Sequence, residues 1–269
     1  MSSNPASRIT ILGTAGDINS INDHRTSAGV IIECDDSILA IDPGIGTIVR
    51  CSQLKLPLGS INAILVSDSD IIYTNDANAL IEHTDRNIHL LAPPKFLRHE
   101  ESVLTKNHSK NLKIIAVDSD KHTMIKGIDI EAYHGKLDNA SYKITTSKYV
   151  LGYITKAKHT KQLLEKFNDC NILILNLQNL DDKNSPYLDY EEIIDLIQNV
   201  NAELVVLNGF NKKILASDPL DLSRKMKAQI QKDKDKTIRT QIHVAKELMT
   251  INPESYNIRL KQKRLKGFF

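Results

Sequence analysis

The chain predicts an α/β (α+β) fold of four layers, αββα: two packed sheets with helices on their outer faces. Three observations lead there. Short apolar, β-branched runs alternate with turn residues through the first half, and strands and helices follow one another again after residue 140. No repeat, low-complexity tract or long linker interrupts the two blocks. Two successive blocks of strands and helices suggest two packed sheets with helices outside. Residues 1–269 therefore read as a single domain with a basic C-terminal tail from about 257.

Taken in order, the first block places strands at 9–12, 28–33, 37–41, 63–66, 88–91, 113–117 and 128–133. Two helices are expected within it. One, 45–54, follows the turn Asp42-Pro43-Gly44; the other, 75–83, opens with Thr74 or Asn75 as its N-cap. The second block gives strands at 142–146, 149–154, 171–177 and 203–207, with helices at 160–168, 190–200 and 220–232. The charged run 232–236 is short enough to be a helix-to-strand loop.

Composition narrows the setting. With 41% hydrophobic residues in 269, the chain can bury a substantial core. Cys34, Cys51 and Cys170 lie far apart with no CxxC pair, which argues against a disulfide framework or a thiolate zinc site. The N-terminus runs straight into the first strand, with no apolar stretch of signal-peptide or membrane-spanning length, so a soluble, unprocessed, cytoplasmic protein with no membrane partner is expected. Charge is uneven. Residues 222–269 carry 13 Lys/Arg against 4 Asp/Glu, and the rest carries 22 against 29. Such a basic end suits RNA or an acidic partner through Lys261, Lys263, Arg264 and Lys266; it also suits an exposed helix and tail.

The most informative stretch is 63–76, an apolar strand followed by Ser67-Asp68-Ser69-Asp70-Ile71-Ile72-Tyr73. It resembles the first metal-binding segment of the metallo-β-lactamase superfamily, in its small stand-alone RNase Z-like form. There a strand runs into Ser/Thr-His-x-His-x-Asp-His, because two zinc ions need imidazoles and a carboxylate on one turn. Asp68 and Asp70 stand at the first two His positions, Ile72 at the Asp and Tyr73 at the last His. Other segments resemble the family in order: Gly13-Thr-Ala-Gly16 after the first strand, Ser27-Ala-Gly-Val-Ile-Ile32 at the second, and Asp42-Pro43-Gly44-Ile-Gly46. The resemblance runs from residue 9 to about 251.

The remaining metal positions follow residue by residue. His134, in Tyr133-His134-Gly135, matches a family ligand and keeps it; Lys156, in Gly152-Tyr-Ile-Thr-Lys156, stands where the resemblance places the metal-bridging aspartate; Gly209, in Leu207-Asn-Gly209-Phe210, stands at the last His. Zinc is the family's cofactor, yet most of its ligands are missing, so no metal and no cofactor is expected. Lysine at 156 would put a permanent cation beside Asp68 and Asp70.

The same residues also admit rival chemistry. Asp68, Asp70 and nearby Asp76, or Asp68 and Asp70 with His134, could offer oxygen-rich ligands to Mg²⁺ or Mn²⁺. A lone His134 equally reads as an imidazole hydrogen-bonded to Asp70 or Tyr73. A serine triad from Ser67 or Ser69, His134 and Asp68 lacks a nucleophile elbow, and Gly13–Gly16 lacks phosphate-loop spacing. The expectation is a pseudoenzyme with no catalytic residues, acting as a binding or scaffold subunit whose partner is an active homologue, another protein subunit or RNA. A homo-oligomer is compatible with it. The alternative is a metal-dependent hydrolase of phosphodiesterase or RNase Z type with an altered carboxylate-rich site.

Overall fold

A computed structural model of the chain describes residues 7–256 apart from 35, 85–87, 99–103, 111, 118–121, 135–137, 201 and 233–239. Fourteen strands run in chain order as β1 (Arg8–Ile11), β2 (Ala28–Cys34), β3 (Ser37–Pro43), β4 (Ile61–Leu65), β5 (Ile88–Ala92), β6 (Leu112–Ala116), β7 (His122–Ile125), β8 (Ile128–Tyr133), β9 (Ser141–Thr145), β10 (Val150–Ile154), β11 (Ile172–Asn176), β12 (Leu204–Asn208), β13 (Gln241–Val244) and β14 (Met249–Ile251). The helices are α1 (Ile18–Ile21), α2 (Thr47–Gln53), α3 (Ile71–Thr74), α4 (Ala77–His83), α5 (Pro94–Leu97), α6 (Lys106–Ser109), α7 (Lys161–Phe167), α8 (Tyr190–Val200), α9 (Lys212–Ala216) and α10 (Pro219–Lys232).

Two seven-stranded sheets form, ordered β14-β1-β2-β3-β4-β5-β6 and β13-β12-β11-β10-β9-β8-β7. The predicted four-layer sandwich is the observed one. Side-chain alternation explains why both faces of the central strands are apolar. In β12, Leu204 and Val206 join the core between the sheets with Ile9, Val30, Leu65, Tyr142 and Ile174. Val205 and Leu207 turn outward to Leu196, Ile197 and Met226 of α8 and α10. On the first sheet Ile31, Ala40, Ile64 and Leu90 face outward to Cys51, Leu80 and Phe96 of α2, α4 and α5. Burying a Leu or Ile side chain contributes about 1.5–3 kcal/mol, so these layers are the main source of stability.

Several local expectations change. Neither Thr74 nor Asn75 caps the helix that follows. Residues 71–74 already form the short α3, the N-cap of α4 is Asp76, and the Asp76 carboxylate instead accepts from Ile48 N at 3.1 Å, tying α2 to α4. α2 begins at Thr47 because Gly46 takes φ +94°, a conformation that favours glycine. The three short strands β7, β13 and β14 have no counterpart in the predicted set. The run 233–236 and the tail from 257, with Lys261, Lys263, Arg264 and Lys266, lie outside the described residues.

Candidate functional site

The cleft lies between the sheets at the carboxyl ends of β3, β4, β10, β11 and β12, and it is built on Asp42. β3 delivers this residue at φ +50°, 1% exposed, immediately before Pro43 and Gly44. Its carboxylate accepts from Ser67 N at 2.6 Å, Ser67 Oγ at 2.6 Å and Tyr153 Oη at 2.7 Å. Burial pushes the Asp42 carboxyl up to about 7 against the pull of those three donors. Above it Tyr142 Oη donates to Val66 O at 2.5 Å, and Ala140 N donates to Ser67 O at 2.7 Å. The end of β4 is thus fixed from both sheets.

Beyond Ser67 the chain turns sharply. Asp70 N donates to Asp68 Oδ1 at 2.9 Å, closing an Asx-turn that leads into α3. Lys156 follows the end of β10 and reaches across: its Nζ lies 3.0 Å from Asp68 Oδ2 and 3.9 Å from Asp70 Oδ2. The same ammonium sits 5.6 Å from the Tyr73 ring centroid and 5.9 Å from that of Tyr187. Lys156 and Asp68 are 16% and 15% exposed at the side chain, while Asp70 is half-exposed at the mouth. Burial works against the lysine's charge, but Tyr187, Asp68 and Asp70 outweigh it and raise its pKa above the usual value. Lys156 is therefore a resident cation.

Tyr73 closes the cleft from the α3 side. Its hydroxyl pairs with Tyr187 Oη at 3.1 Å and accepts from Asn176 Nδ2 and Gln178 Nε2, each at 3.4 Å. Asn176 and Asn208 are partners in register and, by alternation with Ile174 and Val206, face between the sheets. Gly209 follows at φ +63°; a Cβ there would lie 2.6 Å from Asn176 Cγ, and its own carbonyl would meet a Cβ on Gly16 at 2.2 Å. Ile72 is buried, with its carbonyl packed against Gly44. His134 follows β8 and is half-buried.

Of the residues singled out in sequence, Asp68, Asp70, Tyr73 and Lys156 meet in one cluster. Gly209 borders it through Asn176. Asp68, Asp70 and His134 do not gather as a ligand set. Among the described residues the one group of three His, Cys, Asp or Glu side chains spaced to hold a metal is His122, Asp129 and Glu131, on β7 and β8. Glu131 there is already paired with Lys166 at 2.6 Å. Of the positions the resemblance assigns to metal, Ile72 and Gly209 offer no side-chain donor, Tyr73 is hydrogen-bonded to Tyr187, and an ammonium faces both carboxylates, which leaves His134 as the one imidazole. The roles of Asp42, Tyr153, Asn176 and Tyr187 do not follow from the sequence motifs. The signal for Asn176 and Asn208 was present, a polar residue ending each apolar run Ile-Leu-Ile-Leu-Asn and Leu-Val-Val-Leu-Asn.

A four-layer αββα sandwich with its cleft at these strand ends is the architecture of the metallo-β-lactamase class. The chain belongs to that superfamily: the family model described as Beta-lactamase superfamily domain matches residues 38–210. The uncharacterized protein MJ1374 of Methanocaldococcus jannaschii is 26% identical over 211 residues, 72% of this chain and 79% of that protein. In structure the chain resembles the metallo-β-lactamase fold protein YhfI from Bacillus subtilis, with TM-score 0.73 and 13% identity over 91% of this chain and 98% of that one. It also resembles the short form of human tRNase Z, with TM-score 0.62 and 13% identity over 91% and 98%. At such identities these likenesses establish the fold alone.

Proposed function

We propose that this chain is a non-catalytic member of its superfamily, a single-domain, cytoplasmic pseudoenzyme that serves as a binding or scaffold subunit. The observation that carries the reading is Lys156 Nζ at 3.0 Å from Asp68, at positions that correspond to metal-bridging and metal-binding ones in the resemblance. A divalent ion between those carboxylates would meet a like charge in a poorly solvated site. No helix among the described residues is long and apolar enough to cross a membrane. An active homologue or RNA is the first partner to test, the latter because of the basic tail and the structural likeness to tRNase Z. The rival is a hydrolase using Asp68 and Asp70 as hard-cation ligands, for which the half-exposed Asp70 is the supporting feature.

Metal analysis of the purified chain together with phosphodiester and lactam hydrolysis assays separates the two. The proposal expects no stoichiometric zinc, manganese or iron and no turnover. Turnover that chelators abolish would overturn it. For the RNA arm, binding should fall steeply as salt rises, because each neutralised phosphate releases counterions. Replacing Lys261, Lys263, Arg264 and Lys266 by Gln should then weaken binding and flatten that slope. No RNA binding at low salt would leave a protein partner.

A further inference from the structure

We propose that the cleft is a built recognition site for a primary ammonium group, filled in this chain by its own Lys156. Four groups converge on the Nζ from different elements: Asp68 and Asp70 from the turn after β4, Tyr73 from α3, and Tyr187 from the loop before α8. Two are carboxylates and two present aromatic rings within the range of cation–π attraction. Each favours a cation and none is specific to lysine's stem. Tyr187 is held there independently of the lysine, since Tyr187 N donates to Ser185 Oγ at 3.2 Å, Asn179 Nδ2 donates to Tyr187 O at 3.2 Å, and the Tyr187 hydroxyl meets Tyr73. Asp68 is likewise anchored through Ser67 and Asp42.

The ring pair selects among cations. A hard divalent ion wants six or more oxygen ligands, whereas a compact ammonium with an alkyl stem suits two carboxylates and two ring faces. Tethering gives Lys156 an effective concentration that a free amine cannot match, so the intact chain excludes competing cations. The site's preference shows once the tether is cut. This inference does not depend on whether the chain hydrolyses anything.

Lys156→Ala leaves a space the shape of a propylammonium ion. The expected result is a lowered Tm that n-propylammonium chloride restores saturably, beyond sodium chloride at equal ionic strength, with no such shift in the intact chain. Adding Asp68→Asn should lower the affinity about tenfold or more, since a hydrogen bond to a charged group is lost. Lys156→Met, whose stem fills the space, should fold and show no rescue. Should Lys156→Ala not fold, Lys156→Cys alkylated with bromoethylamine, its thiolate displacing bromide, regains an ammonium; alkylation with iodoacetamide gives a neutral amide at the same place. The aminoethyl form should be the more stable. Stoichiometric uptake of Zn²⁺ or Mn²⁺ by Lys156→Ala with greater stabilisation than the amine, rescue undiminished by Asp68→Asn, or equal stability of the two alkylated forms would each overturn the proposal. Chelator-sensitive turnover by the intact chain that survives Asp68→Asn would overturn the non-catalytic reading and leave this one standing; turnover lost with Asp68→Asn would overturn both.

Discussion

Asp42 and Asp68 stand at or just beyond the ends of two neighbouring parallel strands, β3 and β4, and their carboxylates are satisfied in different ways. Asp42 is wholly enclosed and takes three donors from uncharged groups, Ser67 N, Ser67 Oγ and Tyr153 Oη. Asp68 lies nearer the mouth and is matched by a full opposite charge, Lys156. The first arrangement belongs to the scaffold, because it joins three strands from both sheets. The second belongs to the cleft, because it decides which charge the cleft presents. The two remain linked, since Asp68 follows Ser67 and its negative charge helps raise the Asp42 carboxyl.

The largest effect should come from Asp42. Asp42→Ala would strand three buried donors and should destabilise by about 4 kcal/mol, measured by denaturant unfolding. Asp42→Asn keeps an acceptor for Ser67 N and replaces the acceptor of the two hydroxyls by an amide that donates to them, so it should be milder. Their difference from the native chain should depend on pH. A carboxyl raised from 3.8 to about 7 holds its proton in the folded state after the unfolded chain has released it. Its contribution is therefore complete below about 4 and lost as pH rises to 7, about 4 kcal/mol for some three units. Asp42→Asn has no such proton, so the stability gap between native and variant should move in its favour across that window. A gap independent of pH would place an ionised Asp42 in the fold.

Next in size is Gly209→His, the residue type that the sequence resemblance places at this position. The left-handed backbone and the contact with Asn176 should make it destabilising by about 3 kcal/mol. Consequently His at 68, 70, 73 and 209 with Asp at 72 and 156 should bind zinc only when Asn176→Ala is added, as titration with a zinc chromophore would reveal. Zinc binding by the set without Asn176→Ala would contradict the packing argument. Lys156→Met leaves Asp68 unmatched, but some solvent reaches the pair, so a smaller loss of about 1–2 kcal/mol is expected. Tyr187→Phe removes one hydroxyl from Tyr73 and should cost about 0.5–1 kcal/mol. If Tyr187→Phe outweighs Lys156→Met, the tyrosine pair and not the ion pair organises the cleft.

Much of the scaffold was legible because β3, β4, β10, β11 and β12 are continuous apolar runs with one face for each layer. β7, β13 and β14 were not. His122-Thr-Met-Ile, Gln241-Ile-His-Val and Met249-Thr-Ile are too short and too mixed to show a period, and are strands because β8, β12 and β1 offer them partners. At the cleft, Lys156 and Asp68 could be matched through ordered motifs. Tyr187 could not, since its contact with Tyr73 spans 114 positions and rests on the path of a loop. Asp42 appeared in sequence as part of a turn, and only its enclosure by Ser67 and Tyr153 reveals a titrating group.

The contact between Gly209 and Asn176 constrains change at both positions. A side chain at 209 must displace the Asn176 side chain or find it smaller, yet moving or shrinking Asn176 removes a donor from Tyr73. Either change alone is therefore expected to be unfavourable. A side chain at 209 and the side chain at 176 are thus coupled, so substitutions at the two positions should be non-additive in stability.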